Sequence, residues 1–150
     1  MASDLIAGSQ PVRALIDTNV ALDWILDRKP WSDEARPLWD ARDTGRVVCY
    51  LPASVLTDVF ISFRRSADIP IAFSALDQIF VTFGLFPVDA ALLLQARSLP
   101  GNDFEDNAQI ACAANAGLDV IISRNQSDFR HSPLLVIEPL QIAEYIARRG

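Results

Sequence analysis

Asp17, Asp58, Asp103, Asp106 and Asp128 are the residues through which this chain can do chemistry. Carboxylates are hard oxygen ligands, suited to Mg²⁺ or Mn²⁺, which take a few of them and complete their coordination with water. Gathered in one place they repel one another and need a cation to be tolerated. A cation held in that way acidifies a water molecule and neutralises charge on a phosphoryl group in flight. Competing catalytic sets are missing. His131 is the only histidine, which excludes a two-histidine mechanism and a His-rich zinc site, and no HExxH, P-loop or GxGxxG motif occurs. Cys49 and Cys112 belong to no CxxC pair and read as small buried hydrophobes.

Singly, each acid has a local explanation. Asp103 is a good helix N-cap. Asp106, three residues on and on the same helix face, favours the positive end of the helix dipole. Asp128 suits a turn before Phe129. Asp17 suits a loop after a strand, and Asp58 suits a solvated helix face, although a short acid sits poorly in mid-helix. Placing them together requires the elements between them.

Val12–Ile16 is an apolar run ending at Asp17 and predicts a buried strand. Residues 19–26 carry apolar positions at helical spacing. Pro30 stops that helix, and Ser32 is expected to cap a second one over 33–43. A strand over 46–51 follows. Pro52 opens a helix over 53–65, with Asp58 inside it. Pro70 opens a helix to about Phe80, then come a strand over 83–87 and a helix over 88–99 with Asp89 near its start. Asp103 begins a strongly periodic helix to Ala116, closed by Gly117. Strands over 118–123 and 134–137 follow, and Pro139 starts the terminal helix. Strands alternating with helices predict an α/β fold with a largely parallel sheet, in which ligands gather at the carboxyl ends of the strands. Asp17 and Asp128 follow strands there, and Asp103 and Asp106 open a helix, so the group has a common address.

The composition bounds the rest. The chain has 150 residues, 51% of them hydrophobic, which suits one domain over 1–150 with a full core. The net charge of −6 counts against nucleic-acid binding. Site-bound cations would offset part of it, and nearly all the basic residues are arginines suited to bidentate phosphate contacts. Residues 1–11 read as a ragged start without a signal peptide. The apolar stretch 69–88 contains Asp77, Gln78, Gly84 and Pro87, which predicts a core helix and strand instead of a membrane span. A cytoplasmic protein is expected.

Three segments resemble the PIN-domain family. Ala14-Leu15-Ile16-Asp17-Thr18-Asn19-Val20 is similar to its opening motif, a strand running into Asp-Thr/Ser-Asn. Residues 102–111, Asn-Asp-Phe-Glu-Asp-Asn-Ala-Gln-Ile-Ala, resemble its acid-rich helix start, and residues 118–129 resemble its closing strand, Thr/Ser-Arg-Asn and Asp-Phe. The motifs stand in the family's order. The resemblance implies a three-layer fold with a mostly parallel central sheet flanked by helices. It also implies a pocket of three to four acids binding Mg²⁺ or Mn²⁺, and endonuclease cleavage of RNA. The small size is similar to VapC-type toxins, which implies an antitoxin partner and a homodimer.

Carried over by position, the resemblance makes Asp17, Asp106 and Asp128 metal ligands with Asp103 beside them, and Asp17, Asp58, Asp106 and Asp128 the catalytic set. Thr18, Asn19, Ser123 and Asn125 match polar positions that orient ligands or water; capping and turn formation are the local alternative, and explain Asn19 and Asn125 equally well. Asp58 stands where the family usually has glutamate, one methylene longer. Glu105 is expected to point away, being next to Asp106 on a helix. Arg124 suits either a substrate phosphate or a solvated turn. Trp24, Trp31, Trp39, Phe60 and Phe63 are expected mostly in the core, with some left to form a groove for an antitoxin helix. An antitoxin arginine can also enter the acidic pocket. Two other readings stay open: a PIN fold that binds RNA or a protein without cutting, and a phosphoryl-accepting receiver domain. The receiver needs a lysine near its acids, and Lys29, the only lysine, lies in a charged loop after the first helix.

Overall fold

A computed structural model of the chain describes residues 10–149. The reading of residues 1–9 as a ragged start without a signal peptide lies outside the described residues. The strands are β1 (Val12–Ile16), β2 (Val47–Pro52), β3 (Gly84–Phe86), β4 (Val120–Ile122) and β5 (Leu135–Ile137). The helices are α1 (Thr18–Ile25), α2 (Trp31–Glu34), α3 (Arg36–Asp43), α4 (Val55–Ser66), α5 (Ile69–Thr82), α6 (Ala90–Ser98), α7 (Phe104–Asn115) and α8 (Ile142–Arg149).

The strands form one five-stranded sheet in the order β3-β2-β1-β4-β5, and every pairing is parallel. Parallel neighbours need crossovers, and the helices supply them on both faces. Side chains alternate across the sheet. Val12, Ala14 and Ile16 of β1, with Val120 and Ile122 of β4, join the core under α1, α3, α4, α5 and α8. Leu15 and Ile121 face the other way, into the core made with α6 and α7. The expected three-layer α/β architecture is therefore present. The order runs outward one way from β1 through β2 to β3, and the other way through β4 to β5. The carboxyl ends of β1 and β4 flank the point where the winding reverses, where such sheets open a crevice.

Local signals explain most element ends. Asp68, Asp89 and Asp103 cap α5, α6 and α7, each carboxylate accepting a backbone N–H from three residues on. Gly117 follows α7 at φ +62°, the left-handed conformation that closes helices.

Several expectations change. Ser32 lies inside α2, and its hydroxyl donates to Asp27 Oδ1 at 2.8 Å instead of capping; the single helix expected over 33–43 is broken at Ala35. Pro52 ends β2, and α4 begins only at Val55. The helix over 69–82 gives only one narrow face to the core. Only Ala72, Ala75 and Ile79 are buried, while Ile69, Ile71, Phe73, Phe80 and Val81 are exposed. The small residues of α5 allow close packing on α4 and leave its large residues outside. Trp24 and Trp39 do pack in the core, with Phe83 against both. Among the described residues no helix is long and apolar enough to cross a membrane.

Candidate active site

The alternation that buries Leu15 toward α7 also aims Asp17, two residues on, at that helix. Asp17 is 5% exposed. Its amide donates to Ile122 O at 2.9 Å, tying the end of β1 to β4. Its Oδ2 accepts from Ser123 Oγ at 2.8 Å, and its Oδ1 accepts from Gln109 Nε2 at 3.3 Å. The Ser123 hydroxyl in turn accepts from the Asn125 amide at 3.0 Å. Asp17 is thus held from two sides. Burial still pushes its pKa up; the bonds from Ser123, Gln109 and the Asn19 backbone oppose that, and the Asp128 charge adds to it.

Asp106 stands half-buried in the first turn of α7. Its carboxyl is pushed up to about 7, by burial first and then by the charges of Asp103, Asp17, Asp128 and Glu105. Asp103 is exposed, and its Oδ1 accepts the Asp106 amide at 3.0 Å. Asp128 is exposed on a turn of 3₁₀ helix over Gln126–Phe129, anchored by buried Phe129. Asp58 is exposed near the start of α4.

Glu105 does not point away. Burial raises its pKa and the Asp58 charge adds to that, a hydrogen bond with the Thr18 side chain opposes them, and the charges of Asp103 and Asp17 add further. Adjacent helix residues are about 100° apart, not opposed, because a turn holds 3.6 residues. Glu105 and Asp106 therefore flank the ridge that continues at Gln109, four and three residues on. The charge of Asp58 bears on Glu105.

Two functional candidates, Gln109 and Asp23, are not singled out by the sequence, and Glu105, expected to point away, joins them. Gln109, 1% exposed, is the one long polar side chain in the run Ala108-Gln109-Ile110-Ala111-Cys112-Ala113, and that isolation was its signal. Asp23 is buried on α1 and pairs with Arg124, whose Nε donates to it at 2.9 Å. Arg124 is therefore neither a free phosphate contact nor a solvated turn residue. Asn19 and Asn125 are exposed, and Asn125 enters the network through its backbone N–H.

The chemistry of these side chains suits a divalent cation. Several carboxylates bear on one another at the crevice, one of them raised to about 7 by burial and its neighbours. A buried oxygen beside them, Gln109 Oε1, has no hydrogen-bond partner, which native interiors rarely tolerate. Among the described residues no group of three acid, histidine or cysteine side chains forms a ready-made cage.

A family model for the PIN domain matches residues 13–127. No curated protein matches the chain in sequence. Solved structures share the fold. A chain of VapBC2 from Rickettsia felis, bound to a DNA fragment from its promoter, is 15% identical with a TM-score of 0.61, covering 85% of this chain and 98% of its own. A chain of DNA-bound VapBC from Salmonella typhimurium is 15% identical with a TM-score of 0.65, covering 85% and 97%. A chain of FitAcB from Neisseria gonorrhoeae is 18% identical with a TM-score of 0.63, covering 84% and 97%.

Proposed function

The chain belongs to the PIN-domain family, and from that premise we propose that it is a Mg²⁺- or Mn²⁺-dependent endoribonuclease, the toxin half of a toxin–antitoxin pair. The observation that carries the reading is that Asp17, Asp106, Asp128 and Glu105 act on one another's charge at the carboxyl ends of β1 and β4. Asp17, Asp106 and Asp128 would hold the cation, with Asp103 beside them giving one oxygen to the α7 cap. A bound divalent cation supplies Lewis-acid stabilisation of phosphoryl charge and a more acidic water.

The protein's own part is positioning. Ser123 and Gln109 fix both oxygens of Asp17, so its lone pairs keep one orientation through the reaction. Asp58 and Glu105, on the flank of the crevice, orient the attacking water and take its proton as the new oxygen–phosphorus bond forms and the ester bond breaks in line. Glu105 supplies the longer acid that Asp58 lacks, which weakens the reading of a PIN fold that binds without cutting. Ser123→Ala is expected to lower kcat about 10–100-fold, the usual cost of losing a group that orients a metal ligand. Single-turnover cleavage with saturating Mn²⁺ measures it.

The antitoxin reading draws on two things. The fold's relatives include chains solved in VapBC complexes. The outward stripe of α4 and α5, with Ile61, Ile69, Ile71, Phe73 and Phe80 exposed, is an apolar surface of the kind a partner helix covers. The same stripe would serve a second copy of the chain in a homodimer.

The test is incubation of the purified chain with a panel of structured RNAs in Mg²⁺ or Mn²⁺ against EDTA. Cleavage is expected only with the metal. Metal binding without cleavage of any RNA would favour the non-cutting module, and absence of metal binding would overturn the pocket.

A further inference from the structure

The carboxyl edge of the sheet holds a second concavity beside the acids. A cavity of about 200 Å³ lies between α1, α2 and the segments after β4 and β5, lined among others by Val20, Trp31, Glu34, Arg124, Asn125 and Glu138. Its wall is built around a buried charge. Asp23 is 1% exposed and accepts from Arg124 Nε at 2.9 Å and from Arg124 Nη2 at 3.4 Å. Arg28 Nη1 lies 3.6 Å from the same carboxylate. The Arg124 guanidinium also lies over the Trp31 ring, 4.2 Å from its centroid. Arg124 is thus held in its plane by Asp23 and across its face by Trp31. Trp31, unlike Trp24 and Trp39, stays 38% exposed, a flat aromatic wall open to solvent. A buried ion pair is weak support for stability, so so firm a hold on one loop arginine calls for a use.

We infer that this cavity is a nucleobase subsite, which takes the base of a single-stranded nucleotide next to the scissile phosphate and prefers bases with exocyclic amino groups. The inference rests on the ribonuclease reading above. Position supports it. Asp23 follows Asp17 by six residues, and α1 rises about 1.5 Å per residue, so cavity and acid crevice are roughly 8–9 Å apart along that helix. They also share a loop, because Asn125 lines the cavity while its amide holds the Ser123 hydroxyl that holds Asp17.

The chemistry supports it as well. Aromatic rings and arginine planes are the surfaces on which unpaired bases stack. Glu34 and Glu138 offer acceptors only, which suit the amino hydrogens of cytosine, adenine and guanine, whereas uracil has no amino group and its single N3–H lies between two carbonyl oxygens that a carboxylate repels. Their charge keeps phosphate out, so the base and not the backbone enters.

The experiment follows the indole N–H signal of Trp31 by NMR in the ¹⁵N-labelled chain, with EDTA present and the signal assigned by its loss in Trp31→Phe. The probes are CMP, AMP, GMP, UMP, ribose 5-phosphate and N-acetylargininamide. Saturable shifts with the three amino-bearing nucleotides are expected, with UMP roughly tenfold weaker and ribose 5-phosphate inert. No shift with any nucleotide, or an equal shift with ribose 5-phosphate, would overturn the subsite. A response confined to N-acetylargininamide would assign the cavity to a protein side chain and overturn it too. Binding is read without catalysis, so the two readings fail separately. Base binding in a chain that cuts no RNA would support the subsite and remove the ribonuclease. Cleavage with an unmoved Trp31 signal would do the reverse.

Discussion

Asp17→Asn is expected to reduce RNA cleavage on the order of 1,000-fold or more at saturating Mn²⁺, since several kcal/mol of transition-state stabilisation depend on a held cation and each 1.36 kcal/mol is a factor of ten. Asparagine keeps the size of the side chain but presents an amide –NH₂ where an acceptor stood. Either the Ser123 hydroxyl or the Gln109 amide must turn to meet it, and both now donate to the carboxylate. The hydroxyl can rotate to accept and the Gln109 amide can flip, so folding should survive. Removing a buried charge even favours the metal-free fold, because burial is the largest cause of the raised Asp17 pKa. A loss of activity with an unchanged or higher melting temperature would locate the defect in the site. A loss of both would show instead that Asp17 is part of the scaffold. Activity within tenfold of the parent chain would remove Asp17 from the proposed catalytic set.

The metal-free protein should become more stable as pH falls from 8 to 5.5. Asp106 has its pKa raised from 3.8 to about 7, and Asp17 and Glu105 are raised too. Between those limits the folded state binds more protons than the unfolded chain, so stability falls as pH rises. The contribution is fully present below about pH 4, the unfolded value, and is lost as pH rises through about 7. Asp106 is only half-buried, so solvent screening discounts the shift to about 1–2 kcal/mol, roughly 3–6 °C in a domain of this size. Thermal melts in EDTA at the two pH values measure it. Asp106→Asn should raise the melting temperature at pH 8 and flatten the pH dependence, while binding Mn²⁺ more weakly. Mn²⁺ at about 100 times its Kd should return about 2.7 kcal/mol to the parent chain at pH 8. Equal pH dependence in the parent and Asp106→Asn would mean that the acids do not crowd as the fold has them.

Both effects arise because carboxylates are kept charged in a place that disfavours charge, and the two parts of that arrangement were unequally visible in the sequence. β1 was legible to the residue, because a buried parallel strand is an apolar run and Asp17 is where the run stops. The start of α7 was legible too, because a cap is a contact over three residues and the Asp103 carboxylate meets the Asp106 amide within that span. Gly117 marked its end for the same local reason.

The breaks at Ala35 and Val55 were missed because Ser32 and Pro52 suit helix starts as well as the places they occupy. The outward face of α5 was missed because apolar content does not say which residues find a neighbour; α4 is met by the small ones.

The sequence by itself determined the alternation of strands and helices, the acids at strand ends and helix starts, and the family motifs, since each rests on neighbours along the chain. Only the tertiary structure decided that Glu105 leans into the crevice, that Gln109 and Ser123 hold Asp17 across 92 and 106 residues, and that Arg124 is locked by Asp23 across 101. Those contacts depend on which elements the sheet order brings side by side. Pairing β1 with β4 brings them together, and no local pattern encodes that pairing.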